Sequence, residues 1–414
     1  IAGLALALLA GAGEAQQQPK KKKIVLPPDS LYNIAAKSLE GQVVDLKVRN
    51  PEKNGRAETV DGKAGKAVKF SFDEKCSGAF CMTPLRGSPE WDKAAGFSFW
   101  VKGDGSKRFG GLQFIWNEDY AARYDYMFPI DGTEWRKIVV AWRDLVPSLP
   151  SPASKFMDPR MGNAPSKISA VWFGKWWYWR DYGAHSYTVD ELRLEPAIKL
   201  DENLYAPAAA PLERVLAKLK AGKPVTIVTM GDSLTDYAHW ANREVNWPTL
   251  LTKKIKDKYK VDAKIVNPAI GGTQLRQGLV LMPRWLAEAP EPDLVTVCYG
   301  ANDYESGMRG EMFRETVRET VDRIRRATLG KSDVLVMTTV PALEQWALKN
   351  ELAEACRAAA GERKAGLSDV EKAFGAAPAD QRSALFCTDK VHLGKAGHEA
   401  TAAAVLEAIE RAGK

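Results

Sequence analysis

From Pro224 onward, apolar segments of strand length alternate with amphipathic segments of helical length, and this alternation constrains the fold more than any other feature. The strand-length segments are VTIVTM, AKIVNPAI, DLVTVCYG and DVLVMTTV, and helical segments such as WPTLLTKKIKDKY and LVLMPRWLAEA follow them. Strands that alternate with helices pair in parallel, and the helices cover both faces of the sheet. Residues 224–414 are therefore predicted to form an α/β domain around a parallel sheet. Ligands of such folds bind beyond the carboxyl ends of the strands.

The chain before this domain has a different pattern. Between residues 20 and 196, short segments of alternating polarity recur, among them AVKFSF, GFSFWVKG, WRKIVVAW and ISAVWFG, and turns such as KGDGS separate them. Such spacing predicts an all-β sandwich. Residues 197–223 combine a Pro/Ala-rich stretch with an amphipathic segment, which predicts a linker followed by a helix.

The sequence begins with IAGLALALLAGAGEA, an apolar run that is too short to span a bilayer and that ends in small residues before QQQPKKKK. This pattern is typical of a secretory signal peptide. Residues 1–19 are accordingly predicted to be a signal peptide with a truncated start, together with a tether. The protein is expected to be secreted or periplasmic, without stable insertion into a membrane.

The formal net charge of +7 is spread along the chain, apart from the run Lys20–Lys23. This run is predicted to be a solvated tether, and contact with acidic polysaccharide or anionic lipid is the alternative. The sequence has no zinc-finger spacing, Arg-rich helix or RNA-binding aromatic motif, so nucleic acid is not an expected partner.

The five cysteines leave two pairings open, Cys76–Cys81 and Cys356–Cys387, since an exported protein meets an oxidising compartment. Cys298 lies inside an apolar strand and is expected to be a small core residue.

Aromatic residues crowd the β region and are densest in KWWYWRDYG, Lys175–Gly183. Consecutive residues of a strand face opposite sides of a sheet, so these rings cannot all belong to the core. Two interpretations stay open for them: packing in the core, or a surface for the flat face of a sugar ring.

The first strand of the α/β domain ends in VTIVTMGDSLTD, which sets Ser233 just past the carboxyl end of that strand. A serine hydroxyl is a weak nucleophile. It does chemistry only beside a base that takes its proton and donors that hold the developing oxyanion. The remaining sequence offers candidates for both.

The predicted base is His392, which lies in TDKVHLGKAGH near the C-terminus. Asp389 and His392 are three residues apart, so within one turn they face the same side. The carboxylate can accept the Nδ1–H of the imidazole and leave Nε2 free to take the serine proton. Of the other histidines, His185 lies in the β region, His239 is expected in a pocket wall beside the serine, and His398 is expected to pack or to cap the last helix.

Oxyanion donors are predicted after the next two strands. In NPAIGGTQL, the pair Gly271 and Gly272 allows the backbone to turn an amide toward a substrate. In YGANDYESG, the side chain of Asn302 can donate into the same space. Each motif alone is common as a plain turn or a loop cap, but these motifs occur in order at strand exits.

These four blocks resemble those of the SGNH, or GDSL, hydrolase family, and the resemblance runs from about residue 224 to the C-terminus. GDSLT supplies Ser233, NPAIGGT supplies Gly272, GAND supplies Asn302, and DKVH supplies Asp389 and His392. An earlier position of the glycine block, often glycine in the family, is Ala269 here, which affects the shape of the loop rather than the donor. The resemblance implies a three-layer, flavodoxin-like domain and a carboxylic ester hydrolase that works through an acyl-enzyme without a cofactor. It also implies an oxyanion hole made by the amides of Ser233 and Gly272 with Asn302.

The β region resembles the jelly-roll modules that bind carbohydrate or accompany carbohydrate-active enzymes, through FSFWVKGDGS, FPIDGTEWRKIVVAWRDLVP and TVDELRLE. Such modules often carry a structural calcium near a terminal acidic residue, so Asp190 and Glu191 are its candidate ligands here. The domain order is similar to that of SGNH carbohydrate esterases of the acetylxylan type. It implies removal of acetyl groups from a polysaccharide or oligosaccharide.

Substrate contacts are predicted for polar and aromatic residues beside the motifs: Asp232, Tyr237, His239, Trp240 and Tyr304. Trp247 and Trp346 either join this platform or pack in the core.

Three rival functions remain open. A lipase, arylesterase or thioesterase would use the same machinery, and a sugar O-acetyltransferase would pass the acyl group to a hydroxyl instead of to water. A carbohydrate-binding protein with an inactive hydrolase domain is the alternative from another class, although the complete set of motif residues speaks against it.

Overall fold

The computed structural model describes residues 55–63, 66–74, 76, 79–84, 87–157, 162–179, 183–207 and 210–412. The predicted signal peptide and tether lie outside these residues. The last strand of the β region ends at Glu195, and the first strand of the α/β region begins at Val225. The domain limits drawn from the sequence stay a prediction.

Ten strands of the β region lie within the described residues. They are β1 (Gly55–Asp61), β2 (Lys66–Phe72), β3 (Ala79–Pro84), β4 (Gly96–Gly103), β5 (Phe109–Trp116), β6 (Asp119–Pro129), β7 (Arg136–Ala141), β8 (Val146–Pro147), β9 (Ile168–Lys175) and β10 (His185–Glu195). They form two antiparallel sheets with the orders β1-β2-β10-β4-β7 and β3-β9-β5-β6-β8. Buried rings from the two sheets meet edge to face between them, as Phe97 of β4 does with Phe114 of β5. The predicted β-sandwich is confirmed.

The α/β region contains one parallel sheet. Its strands are β11 (Val225–Gly231), β12 (Ala263–Val266), β13 (Leu294–Cys298), β14 (Asp333–Met337) and β15 (Gly366–Ser368). The order β12-β11-β13-β14-β15 is the flavodoxin-like order, which reverses between β11 and β13. The predicted fold is confirmed, and the reversal marks the crevice where a ligand is expected.

Helices cover both faces of this sheet. They are α1 (Glu213–Lys220), α2 (Trp247–Tyr259), α3 (Leu275–Val280), α4 (Met282–Glu288), α5 (Ala301–Glu305), α6 (Gly310–Ala327), α7 (Trp346–Glu362), α8 (Val370–Gly375) and α9 (Lys395–Arg411). Alternate residues of β13 serve the two layers, because Val295 packs with α3, α6 and α7 whereas Leu294 packs with α1, α2 and α9. No helix of the described chain is long and apolar enough to cross a membrane.

The segment LVLMPRWLAEA differs from the single helix that its pattern predicts. It is divided between α3 and α4, which meet at Leu281. Pro283 lies in the first turn of α4, where its missing N–H breaks no helical hydrogen bond. A proline inside one continuous helix would remove such a bond.

Three rings of KWWYWRDYG lie buried at the boundary between the two regions: Trp176, Tyr178 and Trp179. They belong to the same hydrophobic cluster as Trp285 of α4. A 3-10 turn at Trp177–Trp179 interrupts the alternation of a strand, so neighbouring rings turn into the same interface. The sugar-surface interpretation is therefore wrong for these three rings, whereas Trp177 has 55% of its surface exposed.

Arginines of the α/β region cross the boundary to backbone carbonyls of the sandwich. Arg276 Nη1 donates to the carbonyl of Ser154 at 2.8 Å, and Arg323 Nη1 donates to that of Asp144 at 2.7 Å. Arg284 of α4 donates to the carbonyl at position 179. A guanidinium has five N–H donors in a rigid fork, so each arginine can fix several groups of the facing loop. The two regions are thus joined through a packed, hydrogen-bonded interface.

The cysteines do not pair as the sequence allowed. Cys356 is buried within α7 and Cys387 lies in the loop before α9, and both are free thiols, so this predicted pairing is wrong. Cys298 is buried in β13, as its apolar surroundings predicted. Cys76, one partner of the other predicted pairing, is likewise a free thiol, and the side chain of Cys81 lies outside the described residues.

The two candidate calcium ligands are engaged with protein groups. Asp190 accepts the backbone N–H of Lys63 at 2.7 Å and that of Glu191 at 2.8 Å, and Glu191 pairs with Arg193 at 2.9 Å. In the part of the chain that the structure describes, no three His, Cys, Asp or Glu side chains gather as a metal site would require.

The interface generates a stability prediction for two neighbouring tryptophans. Trp179→Ala removes a ring of which only 1% is exposed, and we expect it to lower the free energy of unfolding by about 3–5 kcal/mol. Trp177→Ala is the matched control, since that ring is largely in solvent, and we expect a change within about 0.5 kcal/mol. Guanidinium unfolding followed by tryptophan fluorescence and circular dichroism measures both. Equal effects of the two substitutions would contradict the buried interface.

Candidate active site

The carboxyl ends of three strands bring the predicted motifs to one edge of the parallel sheet. β11 leads into Ser233, β12 leads to Gly272, and β13 leads to Asn302. His392 and Asp389 come from the loop before α9, which lies far along the chain.

Ser233 lies half-buried at the corner that follows β11. The buried side chain of Asn242 donates to the carbonyl oxygens of Ser233 and Asp236, at 2.6 and 2.8 Å. Asp232 accepts the N–H of Leu234 at 3.0 Å. These hydrogen bonds hold the corner in one conformation. Asn242 was not predicted, because a short polar residue in a polar loop looks the same in sequence whether it is buried or exposed.

The imidazole of His392 lies between a carboxylate and the serine hydroxyl. Its Nε2 is 3.0 Å from Ser233 Oγ, and its Nδ1 is 2.5 Å from Oδ2 of Asp389. Burial acts to raise the pKa of Asp389, but hydrogen bonds from the His392 ring and from the N–H groups of Val391 and His392 outweigh it and lower the pKa. The carboxylate therefore stays ionised near neutral pH and fixes the tautomer in which Nε2 faces the serine.

The glycine block passes close to this corner. Gly271 donates its N–H to Asp236 Oδ2 at 2.8 Å, which ties the block to the loop that carries Ser233. Gly272 has a φ of +82°, a conformation that glycine adopts without strain. Nothing lies within 4 Å of the position that a Cβ would occupy there, so the site is open on this side.

Asn302 lies in the first turn of the short helix α5. Gly300 precedes it with a φ of +131°, and a Cβ at that position would lie 2.1 Å from the hydroxyl of Thr339. Asn302 Nδ2 donates to the carbonyl of Thr273 at 3.0 Å and to Asp232 Oδ2 at a longer 3.4 Å. The second hydrogen bond is weak, because its donor–acceptor distance exceeds the usual range for N–H···O. One of the amide hydrogens is thus easily released toward a substrate.

Two buried carboxylic groups flank Asn302. Burial raises the pKa of Asp232 to about 6. Burial, reinforced by the nearby charge of Asp232, raises the pKa of Asp303 to about 7 although the N–H of Leu275 donates to it at 3.0 Å. The predicted contact of Asp232 with substrate is wrong, because this side chain is fully buried and serves Asn302 and the backbone instead. Asp303 was missed, since its position in GAND gives no sign of burial.

An aromatic wall, which we define as Tyr237, His239 and Trp240, lies beside the base. The His239 ring stacks on that of His392 with centroids 4.2 Å apart, and Trp240 meets His392 at 5.6 Å with its ring steeply inclined. Trp240 has 54% of its surface exposed and Tyr237 has 39%. Both rings are therefore accessible, and Trp240 is available to a ligand beside His392.

The other predicted aromatic contacts divide between surface and core. Tyr304 is half-buried beneath the guanidinium of Arg309, which lies 4.2 Å from the ring centroid. Trp247 is fully buried and donates to Thr235 at 3.2 Å, so it belongs to the core. Trp346 packs against other side chains and donates its Nε1–H to Glu371 at 2.6 Å.

Comparison with known proteins finds one matching family model and several similar solved structures. Residues 229–400 match the family model described as GDSL-like lipase/acylhydrolase, so the resemblance drawn from the four sequence blocks is confirmed for this part of the chain. Among curated protein sequences, none matches the chain at a significant level.

Several solved structures are similar to part of the chain. Axe2, an acetylxylan esterase from Geobacillus stearothermophilus, is 20% identical over 46% of this chain and 96% of its own, with a TM-score of 0.37. A lipase/acylhydrolase from Enterococcus faecalis has the same identity, coverage and TM-score. A protein named TesA is 22% identical over 45% of this chain and 99% of its own, with a TM-score of 0.39.

The raised pKa of Asp303 generates a prediction about pH and stability. Asp303→Asn keeps an acceptor for the N–H of Leu275 but removes the ionisable group. The folded pKa of about 7 exceeds the value of about 3.9 expected in the unfolded chain. The unfolded chain therefore loses this proton first, and the carboxyl group costs stability as the pH rises from about 4 to 7.

We expect the free energy of unfolding of the wild type, minus that of Asp303→Asn, to fall across this pH range and to level off above it. Urea unfolding at a series of pH values measures the difference. Asp380→Asn, at an exposed position, is the control and should leave the difference unchanged with pH. A flat difference for Asp303→Asn would contradict the raised pKa.

Proposed function

We propose that this protein is a secreted serine esterase that removes acetyl or other short acyl groups from a polysaccharide or oligosaccharide. The single observation that carries the proposal is the contact of 3.0 Å between Ser233 Oγ and His392 Nε2. A match of residues 229–400 to the GDSL-like lipase/acylhydrolase family supports the same reaction class.

The first half of the reaction forms an acyl-enzyme. Ser233 Oγ attacks the carbonyl carbon of the ester while its proton passes to His392 Nε2. The carbonyl π electrons move onto oxygen, and a tetrahedral oxyanion forms. When that intermediate collapses, the C–O bond to the sugar breaks, and the sugar oxygen leaves with the proton from Nε2. Water then repeats the two steps, and it releases the acid and restores the serine.

Asp389 stabilises the imidazolium that exists during each transfer. Its carboxylate accepts the Nδ1–H of His392 at 2.5 Å, so the ring can gain a positive charge without turning. The ring of His239 also restrains the imidazole, since the two rings stack with centroids 4.2 Å apart.

The oxyanion would be held by the backbone of Gly272 and the side chain of Asn302. Gly272 is open on the side where a Cβ would stand. Asn302 needs only to exchange its long contact with Asp232 for the developing negative charge. Because the contact with Asp232 is long and weak, little is lost when the amide turns to the oxyanion, a charged acceptor at short range, and the exchange favours the transition state over the ground state.

The carbohydrate part of the proposal rests on two supports. The exposed ring of Trp240 lies beside His392, where the apolar face of a pyranose can cover it, and Tyr237 is an exposed ring of the same loop. The order of a jelly-roll-like sandwich before an SGNH domain is similar to that of carbohydrate esterases. Release of acetate from acetylated glycans, compared with hydrolysis of long-chain aryl esters, separates this function from that of a lipase. Analysis of products with an acceptor sugar present separates it from that of an acetyltransferase.

Ser233→Ala generates the test of the nucleophile. We expect turnover of an aryl acetate to fall by several orders of magnitude, because no other group replaces the hydroxyl. Thermal unfolding should be unchanged, and Ser383→Ala, at an exposed position, is the matched control with wild-type turnover. A fluorophosphonate should label the wild type and not the variant. Wild-type turnover by Ser233→Ala would contradict the role of Ser233 as nucleophile, whereas no labelling of the wild type would contradict the serine esterase and favour a carbohydrate-binding protein.

Trp240→Ala tests the contact with a sugar ring. Loss of one stacking partner is worth roughly 1 kcal/mol, so we expect KM for an acetylated xylo-oligosaccharide to rise by about fivefold. KM for a small alkyl acetate, which has no ring to stack, should change by less than about twofold. Trp177→Ala removes an equally exposed ring from the sandwich and should alter neither value. Equal changes in KM for the two substrates would contradict the contact with sugar and would indicate that Trp240 acts only by packing against His392.

A further inference from the structure

Arg276 is a buried cation at the boundary between the sandwich and the α/β region. None of its surface is exposed, and burial lowers its pKa to about 10. Its Nη1 donates to the carbonyls of Ser154 at 2.8 Å and Leu149 at 3.3 Å, and its Nε donates to Thr316 of α6 at 3.1 Å. Burying a charge is costly unless hydrogen bonds compensate for it, and here the loop of the sandwich supplies two of the acceptors.

The residues just before Arg276 hold the oxyanion donor. The carbonyl of Thr273 accepts Nδ2 of Asn302 at 3.0 Å, and the N–H of Leu275 donates to Asp303 at 3.0 Å. Asp303 is the next residue after Asn302 in α5. The short segment from Thr273 to Arg276 therefore contacts the donor on one side and the sandwich on the other.

The charge of Arg276 acts on the same group. Burial is the main cause of the raised pKa of Asp303, and the guanidinium opposes it. The side chain thus favours the ionised carboxylate, which is the better acceptor for the N–H of Leu275. Geometry and charge both link Arg276 to the position of α5.

We propose that Arg276 is a positioning residue for the oxyanion hole and that the β-sandwich, through the carbonyls that hold Arg276, is a working part of the catalytic unit. The inference rests on the proposed function, because it assigns Asn302 the role of oxyanion donor. Arg276 acts on the reaction indirectly, through Thr273, Asp303 and Asn302.

Arg284 provides the matched control. It is a half-buried arginine that also donates to a carbonyl of the sandwich, and desolvation lowers its pKa too. It belongs to α4, however, one helix further along the chain from the glycine block. A purely structural role at the interface would be shared by the two arginines, whereas a positioning role belongs to Arg276 alone.

The experiment is a double-mutant cycle on the full chain with an aryl acetate as substrate. Arg276→Gln and Arg284→Gln are each made in the wild type and in Asn302→Ala. We expect Arg276→Gln to lower kcat by about tenfold with KM within about twofold, because a donor that acts only on the oxyanion affects the transition state. In Asn302→Ala, the same substitution should lower kcat by less than about twofold, since the donor it positions is gone. Arg284→Gln should leave kcat unchanged in both backgrounds, although it lowers the unfolding temperature.

Three outcomes would overturn the inference: a wild-type kcat in Arg276→Gln, the same fractional loss in the Asn302→Ala background, or an equal loss in Arg284→Gln. If Arg276→Gln does not fold, Arg276→Lys carries the same cycle, because it keeps the charge but lacks the separate Nε and Nη1 donors that hold Thr316 and the sandwich carbonyls at once. Wild-type turnover and Ser233 labelling, measured first, report on the esterase itself. If the wild type shows neither turnover nor labelling, the proposed function is contradicted. If the effects of Arg276→Gln and Asn302→Ala on kcat are additive, only the role of Arg276 is contradicted.

Discussion

The hydrogen bond between Ser233 Oγ and His392 Nε2 joins residues that are 159 positions apart, and the chemistry proposed for this protein depends on it. The fold makes this contact in two ways. Parallel strands end at one edge of the sheet, which sets Ser233 beside the other motif loops. The helix after each partner then completes the approach, since α2 follows the serine corner, α9 follows His392, and both contribute to one hydrophobic cluster. The approach of His392 to Ser233 is thus a consequence of helix packing on the sheet.

Near the contact between Ser233 and His392, the protein buries ionisable side chains, and this burial by itself lowers stability. Asp232, Asp303 and Arg276 are all fully buried, and burial shifts the pKa of each toward its neutral form. Burial of ionisable groups costs stability unless hydrogen bonds compensate, so clusters of them mark functional sites more often than structural ones. All three bear on Asn302, directly or through α3. Buried ionisable groups therefore surround Asn302, although its own side chain is half-buried like that of Ser233.

The sequence predicts those features of the fold and the site that depend on local pattern, and it does not predict those that depend on tertiary contacts. Period and motif order predicted both folds and placed Ser233, Gly272 and Asn302 at strand exits, because parallel topology follows from the alternation itself. Residues whose role depends on burial were not predictable. Asp232 was assigned to substrate, and Asp303, Asn242 and the interface arginines were missed. The run KWWYWRDYG left core packing and a sugar-binding surface open for the same reason. Its ring spacing fits an exposed or a buried surface equally, and the packing of α4 against it determines which rings are buried.

The interface also constrains what the sandwich can contribute. Three arginines donate to backbone carbonyls that no substitution in the sandwich removes, and Trp179 fills a core shared with α4. A module joined only by a linker would sample many orientations, so any ligand it held would reach Ser233 at an effective concentration set by linker length. A module fixed by buried polar contacts instead has one orientation, because breaking it leaves cations unpaired in a desolvated boundary. Any glycan bound by the sandwich would therefore lie at a fixed distance from the serine, and the same rigidity fixes the loop carbonyls that accept Arg276 relative to α3 and Asn302.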